Sequence, residues 1–379
     1  MKCHITAVGV ARFGRRSESL VDLLAEAGEE ALRGVGRKTV DLLVIGSMAA
    51  ATLGQTENLS SRLVERLGLE ATSAFRVEAA SASGAAAFYA ASLGIQSGHH
   101  QRALVVAGEK MTDRPTAEVT TTLARSLAPS EASSGATMPG LAALVSQLYL
   151  ARHGIGERAM DLVSVQAREC SRQNPGAQFR TPVREEEVAS SRMIAPPLRL
   201  LHCSPISDGA AALVLEAGVG PSGVLGIGQG IDRISLVDRD DLATFRATRL
   251  AAKAAYEHAR LTRKEIDFAE VHDAFAPFAF LNLEDLGLCR AGEAPTWFAE
   301  GRTGPTGSFP VNPSGGLIGR GHPVGASGLV QIAEVARQQL GLAGPLEVPR
   351  RRIGLAQSIG GLGTHNFVTI LGPTSRGSA

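Results

Sequence analysis

Residues 77–98 read VEAASASGAAAFYAASLGIQSG, and almost every side chain before Phe88 is small. The segment carries no charge after Glu78. A helix that is small and apolar on every face is expected to be buried on every face. Small side chains also allow β-sheets to approach such a helix from both sides. The segment therefore predicts a central core helix, with Ser81 where a strand leads into the positive helix N-terminus.

Short apolar runs on both sides of this helix alternate with helical patterns, which predicts a parallel or mixed α/β sheet. Strands are predicted at 41–48, 102–111, 211–216, 224–230, 267–275, 351–359 and 366–372. The N-terminal residues predict a further strand rather than a signal peptide. Since 379 residues exceed the size of one hydrophobic core, two or more domains are expected.

Two helices share a detail that indicates an internal repeat. Ala-Ser-Gly at 82–84 opens the small-residue helix, and Ala-Ser-Gly at 326–328 opens a second long apolar helix. An earlier amphipathic helix is predicted to be capped by Ser17 or Ser19.

Composition excludes several function classes. The formal net charge is +1 without a basic stripe, so a nucleic-acid or anionic-membrane partner is not expected. Uncharged runs at 79–98 and 132–151 are rich in Ser, Gly and Ala, and neither is apolar enough for a membrane span. The cysteines form no C-x-x-C pair, which argues against a zinc knuckle or a disulfide framework and favours a reducing cytoplasm. They are Cys3, Cys170, Cys203 and Cys289.

Three stretches have the pattern of a catalytic cleft. VNPSGGLIGRGHPVGASG at 311–328 embeds Asn312 and His322 among glycines directly before a helix. VHDAFAPF at 271–278 places His272 at the end of a predicted strand, and QSIGGLGTHN at 357–366 is another glycine turn. Either histidine alone has a structural interpretation, but two histidines and a serine at element ends predict one site. The chain has no G-x-S-x-G elbow, and GIGQG at 226–230 lacks the dinucleotide-binding spacing.

These stretches closely resemble the thiolase signature. N-x-x-G-G-x-x-x-x-G-H-P-x-G-x-x-G is present at 312–328, and His-Asp-Ala-Phe at 272–275 is similar to His-Asp-Cys-Phe of sterol-carrier-protein and archaeal thiolases. GEKM (108–111), NPGAQFR (174–180) and CSPISDGAAALVLE (203–216) also resemble that branch. The resemblance covers the whole chain. It implies the thiolase fold, a five-layered α-β-α-β-α sandwich of two βαβαβαββ halves, in a homodimer or tetramer.

The resemblance implies acyl transfer or Claisen condensation of acyl-CoA thioesters, with coenzyme A thioester as substrate and no permanently bound cofactor or metal. Ser81 holds the nucleophile position, and its N–H group would form one oxyanion hole with that of Gly360. His272 and Asn312 would organise a second, with His322 as base or hydrogen-bond donor.

The chain departs from the family where the family has cysteines. The nucleophile position holds Ser81, and the two positions used for a second cysteine hold Ala274 and Ser358. A serine hydroxyl needs a base to remove its proton, whereas a cysteine has an ordinary pKa of about 8.5 and ionises readily beside a histidine. Neither Ala274 nor Ser358 can take an α-proton near neutral pH, so ordinary thiolysis is not expected. Cys203 or Cys289 as a replacement nucleophile is disfavoured, because both lie in stretches that resemble family core.

Three accounts stay open at this point. The chain is an acyltransferase that uses Ser81, a non-covalent aldolase or retro-aldolase on a CoA thioester, or a catalytically weak acyl-CoA-binding subunit. An engineered Cys→Ser change would explain Ser81 but not the missing second cysteine. The retained His272, Asn312 and His322 argue against an inactive scaffold.

The expected organisation has three parts. Residues 1–112 with 201–218 form the N-terminal half, 113–200 an inserted loop region that contacts CoA, and 219–379 the C-terminal half. Members of this branch often work with a small zinc-ribbon/OB-fold protein, so such a partner is implied as well. A cytoplasmic location and a role in lipid metabolism complete the expectation.

Overall fold

Eleven strands and twelve α-helices are present in the computed structural model, which describes residues 2–36, 39–70 and 72–374. The strands are β1 Cys3–Val10, β2 Leu42–Gly46, β3 Ser73–Val77, β4 Arg102–Glu109, β5 Met193–Ala195, β6 Leu198–Arg199, β7 Gly209–Ala217, β8 Gly223–Ile231, β9 Phe268–Glu270, β10 Gly354–Gly360 and β11 His365–Gly372. The helices are α1 Leu20–Gly34, α2 Leu59–Leu67, α3 Ser83–Gln96, α4 Thr116–Ala124, α5 Pro129–Ser133, α6 Met138–His153, α7 Ala159–Arg172, α8 Glu185–Ser190, α9 Arg246–Ala259, α10 Ala276–Asp285, α11 Ala294–Ala299 and α12 Ser327–Gln339.

Nine strands form one mixed sheet in the order β3-β2-β4-β7-β1-β8-β11-β10-β9. The two halves of this sheet meet at β1 and β8, where His4 pairs with Gly223. Within the first half, β2 runs parallel to β3 and β4, and β7 runs antiparallel to both β4 and β1. In the second half, β10 runs parallel to β9, and β11 runs antiparallel to both β10 and β8.

The two half-sheets therefore have the same strand order and directions. Taken outward from the centre, β8, β11, β10 and β9 match β1, β7, β4 and β2. The counterpart of β3 is reduced to one parallel bridge between Ala269 and Val311. The predicted repeat is confirmed at its helices too, since α3 begins at Ser83 and α12 at Ser327.

Three apolar clusters divide the fold into layers. One packs α1 and α2 on the outer face of the first half-sheet. A second contains α3 and α12 together with inward-facing residues of both half-sheets. The third covers the other face of the second half-sheet with α9 and α10. This α-β-α-β-α arrangement is the predicted five-layered sandwich.

The prediction that the 77–98 helix is buried on every face is wrong in part, because Ala86, Tyr89 and Ala90 are only half-buried. Ser83, Gly84, Ala85, Ala87 and Phe88 are buried, but Leu93 near the other end is 47% exposed. In contrast, α12 is buried from its first residue through Ala336. The central layer is therefore deepest where the N-termini of α3 and α12 meet.

Several sequence-based expectations need correction. The predicted strand at 267–275 ends at Glu270, because the N–H groups of Val271 and His272 donate to the side chains of Asn312 and Gln357 instead of a neighbouring strand. The region 113–200, expected to be loops, contains the five helices α4 to α8. The proposed division into three parts stays an interpretation, and its last residues, 375–379, lie outside the described part.

Two expectations about helix ends and membrane helices agree with the structure. Ser19 rather than Ser17 caps α1, and its hydroxyl accepts the Asp22 N–H at 3.2 Å. Within 2–36, 39–70 and 72–374, no helix has the length and apolar character needed to cross a bilayer.

Candidate active site

The turn that precedes α3 is strained and held by its own side chains. Ala80 has φ +49°, which is uncommon for a residue with a Cβ. Its N–H donates to the Glu78 carboxylate at 2.5 Å. The Ser83 hydroxyl accepts the Ala79 N–H at 3.0 Å and donates to the Ala80 carbonyl at 2.6 Å. Ser83 therefore clamps this turn, and Ser81 stands at its apex ahead of the helix.

Ser81 is half-buried and lines a cavity of about 270 Å³ that also contacts His272 and His322. Among the residues that the structure describes, the Ser81 hydroxyl has no hydrogen-bond partner. The side chain is thus free to meet a ligand, and the predicted constellation of one serine and two histidines is brought together.

His322 is fixed at both its backbone and its ring. Its N–H donates to the Ser207 hydroxyl at 2.9 Å, and Ser207 in turn donates to Gln178 at 2.5 Å. Its ring Nδ1 lies 2.7 Å from the Ser327 hydroxyl. Burial, and secondarily the charge of Arg320, lowers the pKa of His322 to about 3. The imidazole is therefore neutral at physiological pH, and one of its ring nitrogens is unprotonated.

His272 lies edge-on to His322, with ring centroids 5.2 Å apart and planes at 88°. A buried amide pair holds its backbone: its N–H donates to Gln357 at 3.0 Å, and its carbonyl accepts from Asn282 at 2.9 Å. Its Nδ1 is buried without a partner among the described residues. Burial first, then the neighbouring His322 and Arg320, lowers the pKa of His272 well below its usual value.

Arg320 is fully buried beside the two histidines. It donates to the Ser314 hydroxyl at 2.6 Å and lies 3.5 Å from the Glu270 carboxylate. Ser314 also donates to Glu270 through its hydroxyl, at 2.9 Å. A buried charge requires such partners because desolvation of an unpaired ion is costly. This group ties the start of the 311–328 segment to the end of β9.

Glu109 links the two halves of the protein under the cavity. Its carboxylate accepts hydrogen bonds from the N–H groups of Met48, Ala49 and Gly325 and from the Ser47 hydroxyl. Burial raises its pKa to about 7, opposed by these donors. Gly325 has no room for a side chain, because a Cβ would lie 2.4 Å from this carboxylate. The GEKM segment thus positions the loop that carries His322.

Asn312 does not reach the cavity. It has φ +51°, and its amide oxygen accepts the Val271 N–H at 2.7 Å. Asp273, which accepts the Leu317 N–H at 2.7 Å, lies in the same network, and burial raises its pKa to about 6. Asn312 therefore fastens the His272 segment to the 311–328 segment, and its assignment to an oxyanion site stays a prediction.

Ser358 and Gly360 lie on β10 and are also absent from the cavity lining. The Ser358 hydroxyl is buried without a partner among the described residues and faces Gly328 at the start of α12. Gly360 packs on the α3 turn so closely that a Cβ would lie 2.2 Å from the Ala79 carbonyl. Of the two second-cysteine positions, only the one held by Ala274 lines the cavity.

The cavity wall is largely apolar. Its apolar side chains are Met48, Met111, Val119, Leu123, Met138, Pro139, Ile194, Leu200, Cys203, Pro205, Ile206, Ala274, Phe275, Phe278, Val324, Ile359 and Leu362. Cys203 was expected in ordinary core, but it faces the cavity; burial raises the pKa of its thiol to about 12, so it is protonated. No cluster of three or more potential metal ligands occurs in the described part of the chain.

Sequence reasoning missed Glu109, Ser327 and Arg320 as supports of the site. Each lay in a quoted motif, but no spacing rule assigned it a partner. The available signal was a charge at the end of an apolar strand for Glu109, a charge within the glycine-rich segment for Arg320, and, for Ser327, its equivalence with Ser83 in the repeated Ala-Ser-Gly.

Comparisons with known proteins cover nearly the whole chain. Residues 2–218 match the family description "Thiolase, N-terminal domain", and residues 228–373 match "Thiolase C-terminal domain-like". An acetyl-CoA acetyltransferase of the archaeon Methanothermobacter thermautotrophicus is 39% identical over 373 residues, 95% of this chain and 97% of that protein.

One further relative and one solved structure are named as parts of assemblies. The benzoylsuccinyl-CoA thiolase subunit BbsB of Thauera aromatica is 30% identical over 375 residues, which are 95% of each chain. The solved structure titled "Ltp2-ChsH2(DUF35) aldolase" superposes with a TM-score of 0.84 over 98% of each chain at 22% identity, and this shows a shared fold.

Proposed function

The chain belongs to the thiolase family, and on this premise we propose that it is an acyltransferase acting on acyl-CoA thioesters, with Ser81 at the acyl-accepting position. The observation that carries the proposal is that Ser81, His272 and His322 line one cavity, with both imidazoles held neutral by burial.

The proposed step is an acyl transfer to a hydroxyl. Ser81 Oγ forms a bond to the thioester carbonyl carbon while His322 Nε2 takes the hydroxyl proton. The carbon–sulfur bond then breaks, and the same proton passes to the leaving sulfur, giving CoA thiol and a Ser81 oxoester. Substrate must first bring Ser81 and His322 into hydrogen-bond contact, as is common for catalytic groups of free enzymes.

The developing oxyanion needs donors. We assign the first oxyanion hole to the N–H groups of Ser81 and Gly360, supported by the close packing of Gly360 on the α3 turn. His272 is assigned to the second oxyanion site, because it faces the cavity and its ring has no hydrogen-bond partner in the described part of the chain. Asn312 then acts through the Val271 backbone and positions this segment.

Contacts to CoA are assigned to the 113–200 region, since it supplies much of the cavity wall. Its lining residues are Thr116, Val119, Thr120, Leu123, Ser126, Met138, Pro139, Arg192, Ile194 and Leu200. Arg192 is exposed, and its guanidinium has no partner among the described residues. A free cation at the cavity is suited to a CoA phosphate.

Intact-protein mass spectrometry after incubation with acetyl-CoA and longer acyl-CoAs tests the proposal. We expect a mass increase equal to the acyl group, mapped by peptide analysis to Ser81 and absent from Ser81→Ala. CoA-thioester binding without an adduct would overturn covalent transfer.

The second candidate is aldol or retro-aldol cleavage of a CoA thioester. It is favoured by the replacement of the family cysteines by Ser81, Ala274 and Ser358, and an aldolase shares the fold. Release of an aldehyde or ketone from a β-hydroxyacyl-CoA by Ser81→Ala as well as by the parent would support it. The third account, a catalytically weak subunit, predicts binding without either reaction.

We also propose that the chain works in an assembly. Strand β3 forms an edge of the sheet and exposes Phe75, which suits pairing with a second copy. A zinc-ribbon/OB-fold partner is supported by the DUF35 component named with the aldolase neighbour and by the subunit status of BbsB. Size-exclusion chromatography with light scattering, alone and with a candidate partner, tests both. A cytoplasmic location and a role in lipid metabolism stay predictions.

A further inference from the structure

Ser327 is the only described residue that contacts the ring of His322 through a hydrogen bond. Its hydroxyl lies 2.7 Å from Nδ1 and 3.0 Å from the Pro323 carbonyl, four residues earlier in the chain. Ser327 is fully buried. Water therefore does not compete for the hydroxyl in this arrangement.

The hydroxyl has one proton, so it can donate to only one of these two groups. A carbonyl oxygen has no proton and can only accept. A serine in the first turn of a helix commonly donates to the carbonyl four residues earlier. If Ser327 donates to Pro323, Nδ1 must carry the proton that completes the 2.7 Å contact.

The other half of the protein contains a similar arrangement, in which the serine donates to the carbonyl three residues earlier instead of four. Ser83, at the equivalent position of α3, donates to the Ala80 carbonyl and accepts the Ala79 N–H. The Ala80 carbonyl accepts the Ser83 N–H as well, at 3.1 Å, just as the Pro323 carbonyl accepts the Ser327 N–H at 3.1 Å. In the α3 turn, the second partner of the Ser83 hydroxyl is the N–H group of Ala79, which can only donate. The repeat therefore favours a hydrogen-bond donor at the equivalent position in α12, which is Nδ1 of His322.

We propose that Ser327 is a positioning residue that holds His322 in the tautomer with the proton on Nδ1. Nε2, which has no partner among the described residues, then keeps its lone pair for a proton from the cavity. The catalytic consequence rests on the proposed function, whereas the tautomer itself does not. The opposite tautomer would present an N–H to the Ser81 hydroxyl and could not act as its base.

The tautomer is measurable directly. Long-range ¹H–¹⁵N correlation spectra of protein with ¹⁵N-labelled histidine distinguish a protonated from an unprotonated ring nitrogen, and His322→Gln identifies the resonance. We expect protonated Nδ1 and unprotonated Nε2 at pH 7 in the parent and in Ser327→Thr, which keeps the hydroxyl.

Ser327→Ala is expected to lose this preference and to slow Ser81 acylation by about 10- to 100-fold, the usual effect of removing an outer hydrogen-bond partner. Ser92→Ala is the matched control, because Ser92 is a buried serine of α3 without a side-chain partner among the described residues. It should leave tautomer and rate unchanged, and Ser327→Thr should stay within about threefold of the parent.

The outcomes separate the two proposals. Protonated Nε2 in the parent, or an unchanged tautomer in Ser327→Ala, overturns the inference whatever the activity. Protonated Nδ1 without acylation of any variant supports the inference and removes the proposed function. If Ser327→Ala does not fold, the parent and Ser327→Thr spectra still decide the tautomer.

Discussion

The starts of α3 and α12 occupy equivalent positions in the two halves, yet they serve the site differently. At α3 the serine of Ala-Ser-Gly fastens backbone, so that a strained turn presents Ser81. At α12 the equivalent serine contacts a side chain, the imidazole of His322. The first half thus supplies a strained backbone turn that presents Ser81. The second half supplies the titratable imidazoles, which lie next to buried charged residues. The comparison teaches that both helix starts keep a buried serine that donates to a preceding carbonyl, while the second partner of its hydroxyl differs.

The largest effect is expected from removing the imidazole of His322. His322→Ala is expected to lower the acylation rate by about 10³-fold, because general-base assistance is lost. The fold should persist, with thermal unfolding near that of the parent. His99→Ala, an exposed histidine, is the control for the substitution itself. Full activity of His322→Ala would refute the assigned role.

The role of the α3 turn can be tested by substituting Gly360, which packs against it. A Cβ there would lie 2.2 Å from the Ala79 carbonyl and must displace the turn that presents Ser81. We expect Gly360→Ala to slow acylation by about 10²-fold, the order seen when an oxyanion donor is lost. Gly156→Ala is the control, since a Cβ at Gly156 meets nothing within 4 Å. Equal rates for both variants would contradict the contact.

Introducing thiols at Ser81, Ala274 and Ser358 sharpens the comparison. Ser81→Cys should be acylated about 10-fold faster by acetyl-CoA, because a thiolate forms more readily than an alkoxide beside a histidine. Adding Ala274→Cys should then allow carbon–carbon bond formation, since that position lines the cavity. Adding Ser358→Cys instead should not.

Acetoacetyl-CoA absorbance and intact mass report these two reactions. Restoration by Ser358→Cys rather than Ala274→Cys would show that substrate reaches the α12 side of β10. If Ser81→Cys were acylated no faster than the parent, Ser81 would not face substrate.

The smallest expected effect is on the pH profile. A base whose pKa is lowered to about 3 is unprotonated throughout the range above that value, and it loses activity only as pH falls toward 3. Burial is the main cause of this low pKa, and the charge of Arg320 adds to it. Single-turnover acylation should therefore change less than about twofold between pH 5 and 8. A rise centred near the ordinary histidine pKa would contradict this.

The sequence supported the fold because each signal was local. The run of small residues predicted the central helix, and Ala-Ser-Gly predicted its equivalent in α12. The glycine-rich 311–328 segment and His272 predicted the site because their pattern is that of thiolases. Ser81, His272 and His322 do line one cavity, and their catalytic roles stay predictions.

What could not be predicted depends on contacts between distant segments. The hydrogen bond from the Val271 N–H to the amide of Asn312 is one example, since it forms only in the folded chain; the oxyanion role of Asn312 stays a prediction. Glu109 approaches Gly325 across 216 positions. Ala274 and Ser358 were equal candidates until the alternation along β10 placed Ser358 against α12.

The pairing of α3 and α12 in one central layer has a consequence for biosynthesis. About 230 residues separate the end of α3 from the start of α12. At about 5–20 residues per second, the ribosome takes roughly 10 to 50 s to deliver α12 after α3. During that interval the first half carries an apolar face that its later partner will cover, so the nascent chain is expected to need chaperone protection until the second half arrives.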